Sequence, residues 1–505
     1  MKAHLMHQDR DFNLRAPAPA QAADLVQDLA LSTLTQAMAG GDPLLLEVAN
    51  KALLDSSFDL DEIRFRQDVL KDAIRFPDAL REAYNLTGEA MAAEKKLWRS
   101  HTNHPTLVLW DSLHLMEIVV TALKRLRHVA DTHGDRVQSE GLRRLFTMLR
   151  VELDDTYFDG IQQHLKNMQF RSGILLATGL DPGNKGRDYV LCLPKAQEVS
   201  WFRRIFRKRP KDFSYTLDPR DENGAKALSD LKDRGLDVVA NALGQSAEHI
   251  FNFLVMLRTE LAFYVGALNL HDRLRQLGAP TAFPVPLPSR ERRQELRGAY
   301  DVTLALNLGR KIVGNDLLSD RANLVLITGA NQGGKTTFLR ALGQAQLMLQ
   351  CGLFVPAEVC VGHLCQGLFT HFKREEDASM TRGKFAEELE RMSRIVDGLK
   401  PDGMILFNES FAATNEREGS EIARQVVSAL VAKDIQVAYV THLYDFAHGV
   451  HDDPRLPALF LRAERPVEGR RTFKLEVGEP LPTSFGLDLF RQLLEDPLPS
   501  AAGGS

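Results

Sequence analysis

The feature that most constrains the fold of this chain is the segment Gly329-Ala-Asn-Gln-Gly-Gly-Lys-Thr336, which matches the pattern G-x-x-x-x-G-K-[ST]. An apolar run, Leu324-Val-Leu-Ile327, precedes it, and a stretch with apolar residues at helical spacing follows it. A strand, a glycine-rich loop and a helix in this order form the context in which the motif holds a nucleotide, whereas a simple glycine-rich turn needs neither flank. The sequence therefore predicts a P-loop inside an α/β domain.

The residue types of this loop explain how it would bind phosphate. Glycines let successive backbone N–H groups curl around phosphate oxygens, and the following helix directs its positive end at them. We expect Lys335 to reach the β- and γ-phosphates and the Thr336 hydroxyl to ligate Mg²⁺. The predicted cofactors are ATP and Mg²⁺. The predicted loop contacts are Gly329, Ala330, Asn331, Gln332, Gly333, Gly334, Lys335, Thr336 and Thr337.

A second apolar run ends in two polar residues, Asn408 and Glu409. Strand ends of a parallel sheet present such side chains to a nucleotide. Glu409 is the predicted general base that orients the attacking water, although an exposed strand-end carboxylate is the simpler structural alternative. Asn408 stands where such ATPases usually carry an Mg²⁺-associated Asp. It is predicted to ligate Mg²⁺ through its oxygen but without a charge, so the metal affinity should be lower.

A third apolar run, Val437-Ala-Tyr-Val440, is followed by Thr441 and His442. A lone histidine after a strand is usually structural. Here it follows the third strand of a predicted ATPase core, where a histidine that senses the γ-phosphate is common. The predicted catalytic residues are therefore Glu409, His442 and Lys335.

The pattern along the chain predicts six regions. Residues 1–22 are polar with Ala-Pro alternation and predict a loose arm, and residues 23–160 have helical spacing. Turn-rich and strand-like stretches predict a mixed insertion over 161–240, followed by a returning helix over 241–285. Alternating strands and helices over 286–495 predict an α/β P-loop NTPase domain with a largely parallel sheet. Residues 496–505 are predicted to be a disordered tail.

Charge bears on possible partners. The formal net charge is -4, so any nucleic-acid binding must come from a local patch. The strongest basic patch lies within residues 201–211, and its candidate DNA contacts are Arg203, Arg204, Arg207 and Lys208. A solvated charged face and contact with an anionic membrane are the alternatives for this patch.

Cysteine usage and hydropathy bear on location. Four cysteines are too few for a disulfide framework, and the cluster of Cys351, Cys360, His363 and Cys365 lacks a C-x-x-C pair, so zinc is not expected. The N-terminus lacks the apolar run of a secretory signal. The longest apolar stretch, residues 107–126, is interrupted by charged residues. We expect a cytoplasmic protein that does not bind membranes.

The motifs in this order resemble the MutS family of mismatch-repair ATPases. The loop TGANQGGKTTFLR is similar to TGPNMGGKST of that family, and Thr441-His-Leu-Tyr-Asp-Phe446 is similar to T-H-Y-F-E-L. Ile312-Val-Gly-Asn-Asp-Leu317 resembles the segment that packs the adenine, which implies nucleotide contacts from Ile312 and Asn315, with Ile312 in place of an aromatic residue. The resemblance covers roughly residues 300–490 and, more weakly, 45–285. It implies that the mixed insertion is a DNA-contacting clamp and that the helical region is a core with a lever arm.

The sequence departs from the family pattern in two ways. MutS proteins that read mismatches begin with recognition and connector domains, and the expectation here is that both are absent, as is an appended nuclease-like domain. The segment that a partner subunit presents to the γ-phosphate carries Ser-Thr before a Phe in MutS, but this chain has Arg382-Gly-Lys-Phe385-Ala-Glu-Glu388. Lys384 could supply a charge there, or Ser379 and Thr381 could supply hydroxyl groups.

The resemblance implies an ATPase that works as a homodimer, with ATP held at composite sites, and that drives a DNA-binding clamp in repair or recombination without mismatch specificity. The alternative is a nucleotide-gated scaffold for protein interactions with little hydrolysis and no direct DNA role. Asn408 and the acidic net charge favour keeping this alternative. A transporter ATPase subunit is disfavoured because the chain has no LSGGQ-like motif.

Overall fold

The computed structural model describes residues 1–97, 104–170, 173–183, 185–192, 213–214, 216–330, 332–374, 383–464 and 472–481. The chain divides into two compact units. The first unit comprises Met1–Ala3, Arg81–Val137 and Leu142–Arg258, and the second comprises His4–Leu80, Gln138–Gly141 and Thr259–Ser505.

The described helices are α1 (Ala22–Asp28), α2 (Leu31–Ala39), α3 (Pro43–Leu54), α4 (Leu60–Arg75), α5 (Pro77–Lys95), α6 (Pro105–His133), α7 (Glu140–Val151), α8 (Asp155–Met168), α9 (Glu222–Gln276), α10 (Val302–Leu308), α11 (Lys335–Gln350), α12 (Lys384–Gly398), α13 (Glu416–Val431) and α14 (Tyr444–His451). The described strands are β1 (Leu175–Leu180), β2 (Gly186–Cys192), β3 (Val285–Leu287), β4 (Arg293–Ala299), β5 (Asn315–Asp320), β6 (Leu324–Thr328), β7 (Val359–His363), β8 (Leu368–Phe372), β9 (Met404–Asn408), β10 (Gln436–Val440), β11 (Ala458–Ala463) and β12 (Leu475–Val477).

The first unit is helical with one antiparallel hairpin, in which β1 pairs with β2. Polar contacts tie its helices together where they meet. The Thr106 hydroxyl in α6 donates to Asp233 Oδ1 in α9 at 2.6 Å. The Arg258 guanidinium lies over the Tyr84 ring, 4.0 Å from its centroid, and also donates to the Tyr84 carbonyl. Apolar faces of α6 and α9 supply most of the buried side chains.

The predicted boundary between the mixed insertion and the returning helix, at residue 240, falls inside a helix. The helix α9 begins at Glu222, where Asp221 Oδ1 accepts a hydrogen bond from the Gly224 amide as an N-cap does. Buried Leu236 and Leu243 continue the apolar spacing across the predicted boundary. The predicted boundary was wrong because this helix begins well before its fully buried part, in an exposed, strongly charged stretch.

Within the described residues, α6 and α9 are long and apolar enough to cross a membrane by length and composition alone. The apolar windows of α6 and α9 are 50% and 78% buried inside the protein, respectively. Core helices of soluble proteins pass the same test, so the two helices are weak evidence for membrane insertion.

The second unit contains a six-stranded sheet in the order β12-β11-β6-β10-β9-β8. All neighbours in it pair in parallel except β12, which is antiparallel to β11. A separate four-stranded sheet has the order β3-β7-β4-β5. The helix α11, which follows the predicted P-loop, contacts strands of both sheets, and every residue of β6, β8 and β10 is buried. This is the predicted α/β P-loop architecture with a largely parallel sheet.

The predicted loose arm over residues 1–22 is wrong for its first half. Leu5, Met6 and Phe12 are at most 2% exposed. Glu260 in α9 accepts hydrogen bonds from the backbone amides of Leu5 at 2.5 Å and Phe12 at 3.0 Å. The sequence showed no periodicity here because the segment is irregular and pairs its backbone with a side chain distant in sequence. The predicted tail, 496–505, lies outside the described residues.

Glu260 generates the first prediction. Replacing Glu260 with Ala should destabilise the protein by roughly 1–3 kcal/mol for each amide left buried without an acceptor. Glu260→Gln should retain part of the stability, because its single amide oxygen can accept in place of only one of the two carboxylate oxygens. Urea unfolding and amide exchange over residues 4–12 measure both effects, and equal losses in the two variants would contradict this role.

Glu260 also sets a pH dependence. Burial raises its pKa from 4.5 to about 7, so the folded protein keeps a proton that the unfolded chain loses. The stability of the wild type relative to Glu260→Gln should therefore fall as the pH rises from 4.5 to about 7.

Candidate nucleotide site

The three predicted motifs meet at one edge of the six-stranded sheet. Val440, the last residue of β10, pairs with Ile327 of β6 on one side and with Asn408 of β9 on the other. Parallel strands end at the same edge, so the segments that follow β6, β9 and β10 lie side by side. The P-loop, Asn408-Glu409 and Thr441-His442 are therefore neighbours.

Glycines allow the backbone conformation of the P-loop, and Lys335 donates hydrogen bonds to carbonyl oxygens of the same loop. Gly329 has a φ of 109°, and a Cβ on it would lie 2.8 Å from the Ala463 amide nitrogen, so a larger residue does not fit. Lys335 Nζ donates to the carbonyl oxygens of Gly329 at 2.7 Å and Ala330 at 2.9 Å. Burial lowers the pKa of Lys335, and the nearby Glu409 opposes that shift. Asn331 lies outside the described residues.

Thr336 and Asn408 form the predicted metal pair. The Thr336 hydroxyl donates to Asn408 Oδ1 at 2.9 Å. Hydroxyl and amide oxygens are hard donors of the kind that Mg²⁺ accepts beside phosphate oxygens and water. The pair therefore fits an Mg²⁺ ion in donor type, but neither side chain brings a charge to hold it.

Glu409 and His442 lie beside the lysine. His442 Nδ1 is 3.8 Å from Glu409 Oε1, and both side chains are partly exposed. His442 is the main cause that lowers the pKa of Glu409, and the positive charges of Lys335 and Lys373 add to it. Glu409 is therefore ionised at neutral pH, as a general base must be.

A cavity of about 680 Å³ extends from these residues. Its volume is within the usual range for a nucleotide-sized ligand. Its lining includes the polar groups Lys335, Thr336 and Glu409, with Gln332, Gly333, Gly334 and Thr337 of the P-loop segment. The predicted Ile312 adds apolar lining together with Leu304, Leu308, Val313 and Phe473, and Arg310 and Lys311 add two cations.

Phe473 is a pocket residue that sequence reasoning missed. It is 46% exposed and lines the same cavity as Ile312, and a Cβ on Gly334 of the P-loop would lie 3.7 Å from the Phe473 Cβ. Asn315 explains its position, because the Asn315 amide donates to the Phe473 carbonyl at 3.1 Å and accepts from the Leu475 amide at 2.8 Å. Both polar atoms of Asn315 thus hold the segment that carries Phe473. The signal in the sequence was an aromatic residue within a polar, Arg-rich stretch.

The segment predicted to face a partner subunit is partly engaged within its own chain. Phe385 packs against the hydrophobic core of the second unit, and Glu388 Oε1 accepts from the Phe411 amide at 2.9 Å. Lys384 is the first residue of α12. Ser379, Thr381 and Arg382 lie outside the described residues, as do the candidate DNA contacts Arg203, Arg204, Arg207 and Lys208.

Comparison with protein families agrees with this geometry. Residues 58–277 match the family model described as MutS2 N-terminal domain, and residues 325–492 match MutS domain V. The chain belongs to the MutS family. The resemblance drawn from the motifs is therefore confirmed.

Individual MutS-family relatives are distant and longer. Human MutS protein homolog 4 is 24% identical over 266 residues, which are 51% of this chain and 27% of that protein. Endonuclease MutS2 of Carboxydothermus hydrogenoformans is 29% identical over 196 residues, which are 37% of this chain and 25% of that protein. DNA mismatch repair protein MutS of Thermotoga neapolitana is 28% identical over 172 residues, 34% of this chain and 21% of that protein. The matched part of the chain thus spans about a quarter of each relative.

Two variants test the polar and the apolar lining of the cavity. Lys335→Ala should lower ATP affinity by about tenfold or more, because it removes the buried cation from the phosphate end. Phe473→Ala should weaken ATP binding more than pyrophosphate binding, because it removes the apolar ring and leaves the backbone beside Gly334 of the P-loop in place. Titration calorimetry with ATP and pyrophosphate measures both. Unchanged ATP affinity in Lys335→Ala would refute the assignment of the P-loop.

Proposed function

We propose that this MutS-family chain is an ATPase that binds ATP with Mg²⁺ and hydrolyses it slowly. The observation that carries the proposal is the convergence of Lys335, the Thr336–Asn408 pair and the Glu409–His442 pair at one sheet edge. A phosphate chain lying along the P-loop would meet a cation, a metal pair and an ionised carboxylate in sequence. MutS domain V, to which these residues belong, is a domain of ATPase type.

Each group has a distinct task in this proposal. Lys335 leaves its two carbonyl partners and turns its charge to the β- and γ-phosphate oxygens. Thr336 and Asn408 would hold Mg²⁺, which would neutralise charge on the phosphates. Glu409 accepts a proton from the water aligned with the γ-phosphate, and His442 is close enough to pair with the carboxylate or with that phosphate.

The slow rate follows from Asn408. An Asp at this position would add a negative charge beside the metal, but the amide contributes only a dipole. Turnover should therefore require a high concentration of Mg²⁺.

Substitutions at the two adjacent positions test this chemistry. Glu409→Gln should keep ATP affinity and abolish steady-state hydrolysis, because an amide cannot take a proton from water. Asn408→Asp should lower the Mg²⁺ concentration needed for half-maximal hydrolysis. Phosphate release at a series of Mg²⁺ concentrations measures both. Hydrolysis by Glu409→Gln at the wild-type rate would remove Glu409 as the base.

We further propose that ATP is held between two copies of the chain and that the homodimer acts in the cytoplasm. The side chains of Glu409 and His442 are partly exposed, so a second subunit could reach them, and its Lys384 is the candidate for the trans charge. Because Glu409→Gln should trap ATP, sedimentation of this variant with and without ATP gives the cleanest measure of the dimer. A monomer in both conditions would refute the composite site.

The proposed role of the cycle is to drive a DNA-binding clamp in repair or recombination, without preference for mismatches. Relatives named for mismatch repair and as endonuclease MutS2 support a role on DNA. The basic residues Arg203, Arg204, Arg207 and Lys208 supply the candidate contacts to the phosphate backbone.

Charge reversal tests the DNA contacts. Changing these four residues to Glu should weaken binding to every duplex tested and flatten its salt dependence, because fewer counterions are released. The matched control reverses four exposed cations of the second unit, Arg275, Arg290, Lys400 and Lys433, and should bind as the wild type does. If the wild type binds no DNA at low salt, the nucleotide-gated scaffold becomes the better proposal.

A further inference from the structure

The turn that carries Glu409 has an unfavourable backbone. Glu409 has a φ of 53° and Phe411 a φ of 61°, so two residues with side chains occupy the left-handed region within three positions. That region is costly for residues other than glycine and persists where surrounding contacts impose it. The contacts that hold this turn therefore determine where the Glu409 carboxylate lies.

Hydrogen bonds hold the turn at each of its three residues. The Glu409 amide donates to the Val440 carbonyl at 2.9 Å, and the Tyr439 hydroxyl donates to the Ser410 carbonyl at 2.7 Å. Both partners are on β10, the neighbouring strand of the sheet. The third bond differs, because the Phe411 amide donates to Glu388 Oε1 at 2.9 Å, and Glu388 is in α12.

A buried histidine links the same helix to the turn a second time. His371 Nε2 is 3.1 Å from the Glu388 carbonyl oxygen, which can only accept, so this nitrogen carries the hydrogen. The Ser410 hydroxyl oxygen lies 2.7 Å from His371 Nδ1, and the hydroxyl donates to the His371 carbonyl oxygen at 2.6 Å. Burial lowers the pKa of His371 to about 3, so it remains neutral, and its ring stacks on Phe411.

Packing leaves the turn little room to relax while these bonds hold. Phe411 is fully buried, and a Cβ on Gly419 of α13 would lie 2.3 Å from the Phe411 carbonyl oxygen. The turn is therefore tied to α12 as well as to β10, because the Phe411 amide donates to Glu388 of α12.

We propose that Glu388 is a positioning residue for hydrolysis, which accepts the Phe411 amide and thereby makes the placement of Glu409 depend on α12. This inference rests on the proposed ATPase function and extends it. Glu388 touches neither the P-loop nor the phosphate end of the nucleotide cavity. Its effect should therefore appear in kcat and not in nucleotide affinity.

Three substitutions of Glu388 distinguish its role as a hydrogen-bond acceptor for the Phe411 amide from the effect of its negative charge. Glu388→Gln keeps an acceptor of the same reach and should retain kcat within about twofold. Glu388→Ala removes the acceptor, and Glu388→Asp keeps the charge but shortens the side chain. Both should lower kcat by roughly tenfold or more with KM unchanged, the size expected when a catalytic group is misplaced. The matched control is Asp397→Ala, which removes an exposed carboxylate of α12 outside the segment 382–388 and should leave kcat unchanged.

Amide hydrogen exchange of the peptide that contains Phe411 gives a readout independent of hydrolysis. The Phe411 amide should exchange slowly in the wild type and in Glu388→Gln, and at least about tenfold faster in Glu388→Asp and Glu388→Ala. If Glu388→Ala does not fold, Glu388→Asp and Glu388→Gln still differ in reach and provide the comparison.

The outcomes separate the two proposals. If the wild type hydrolyses ATP but Glu388→Asp and Glu388→Gln have equal kcat and equal exchange, the positioning role is overturned and the ATPase proposal stands. If the wild type does not hydrolyse ATP, the ATPase proposal fails, and the exchange measurement alone decides whether Glu388 holds the turn.

Discussion

The parallel pairing of β6 with β10 and of β10 with β9 is the constraint on which the candidate site depends. These strands are almost wholly buried, so their register is held by packing on both faces as well as by the hydrogen-bond ladder. In that register Ile327, Val440 and Asn408 are neighbours across the sheet. A slip of one residue would turn the buried side chains to the opposite face and separate the three loops that form the site.

The P-loop helix α11 transmits this arrangement to the rest of the second unit. Gln344 in α11 is fully buried, and its amide donates to the Leu29 carbonyl at 3.0 Å and accepts from the Val302 amide at 3.0 Å. At the end of α11, the Gln350 side-chain amide donates to the Ser57 carbonyl at 3.0 Å. The Ser57 backbone amide donates in return to the Gln350 carbonyl at 3.1 Å. Leu29 and Ser57 are thus bonded to the P-loop helix, although both precede residue 58, where the match to the MutS2 N-terminal domain begins.

Electrostatics at the site follow from burial and from one neutral residue. Lys335 is buried against carbonyl oxygens, which orient its charge before any phosphate arrives. His442 and the nearby lysines lower the pKa of Glu409 and thereby favour its ionised form. The metal pair has no formal charge, because Asn408 occupies its strand-end position as an amide. The site is thus better equipped to bind nucleotide phosphates than to hold a metal ion tightly.

The sequence by itself determined the local elements and their chemistry. The spacing of apolar residues and the glycines of 329–336 predicted a strand, a P-loop and a helix, because backbone conformation and phosphate binding there depend on neighbours along the chain. The polar residues after β9 and β10 were found in the same way, and family resemblance led to Ile312 and Asn315.

Tertiary structure alone decided what depends on partners distant in sequence. The sequence predicted a loose arm over residues 1–22 because no neighbouring residue in the sequence indicates that Glu260 binds the amides of Leu5 and Phe12. Phe473 is held at the cavity because Asn315 binds the Phe473 carbonyl and the Leu475 amide. Glu388 and Phe411 are 23 residues apart, and no periodicity connects an acceptor in a helix with an amide in a turn. A single buried hydrogen bond leaves no pattern in the sequence, so only the folded chain reveals it.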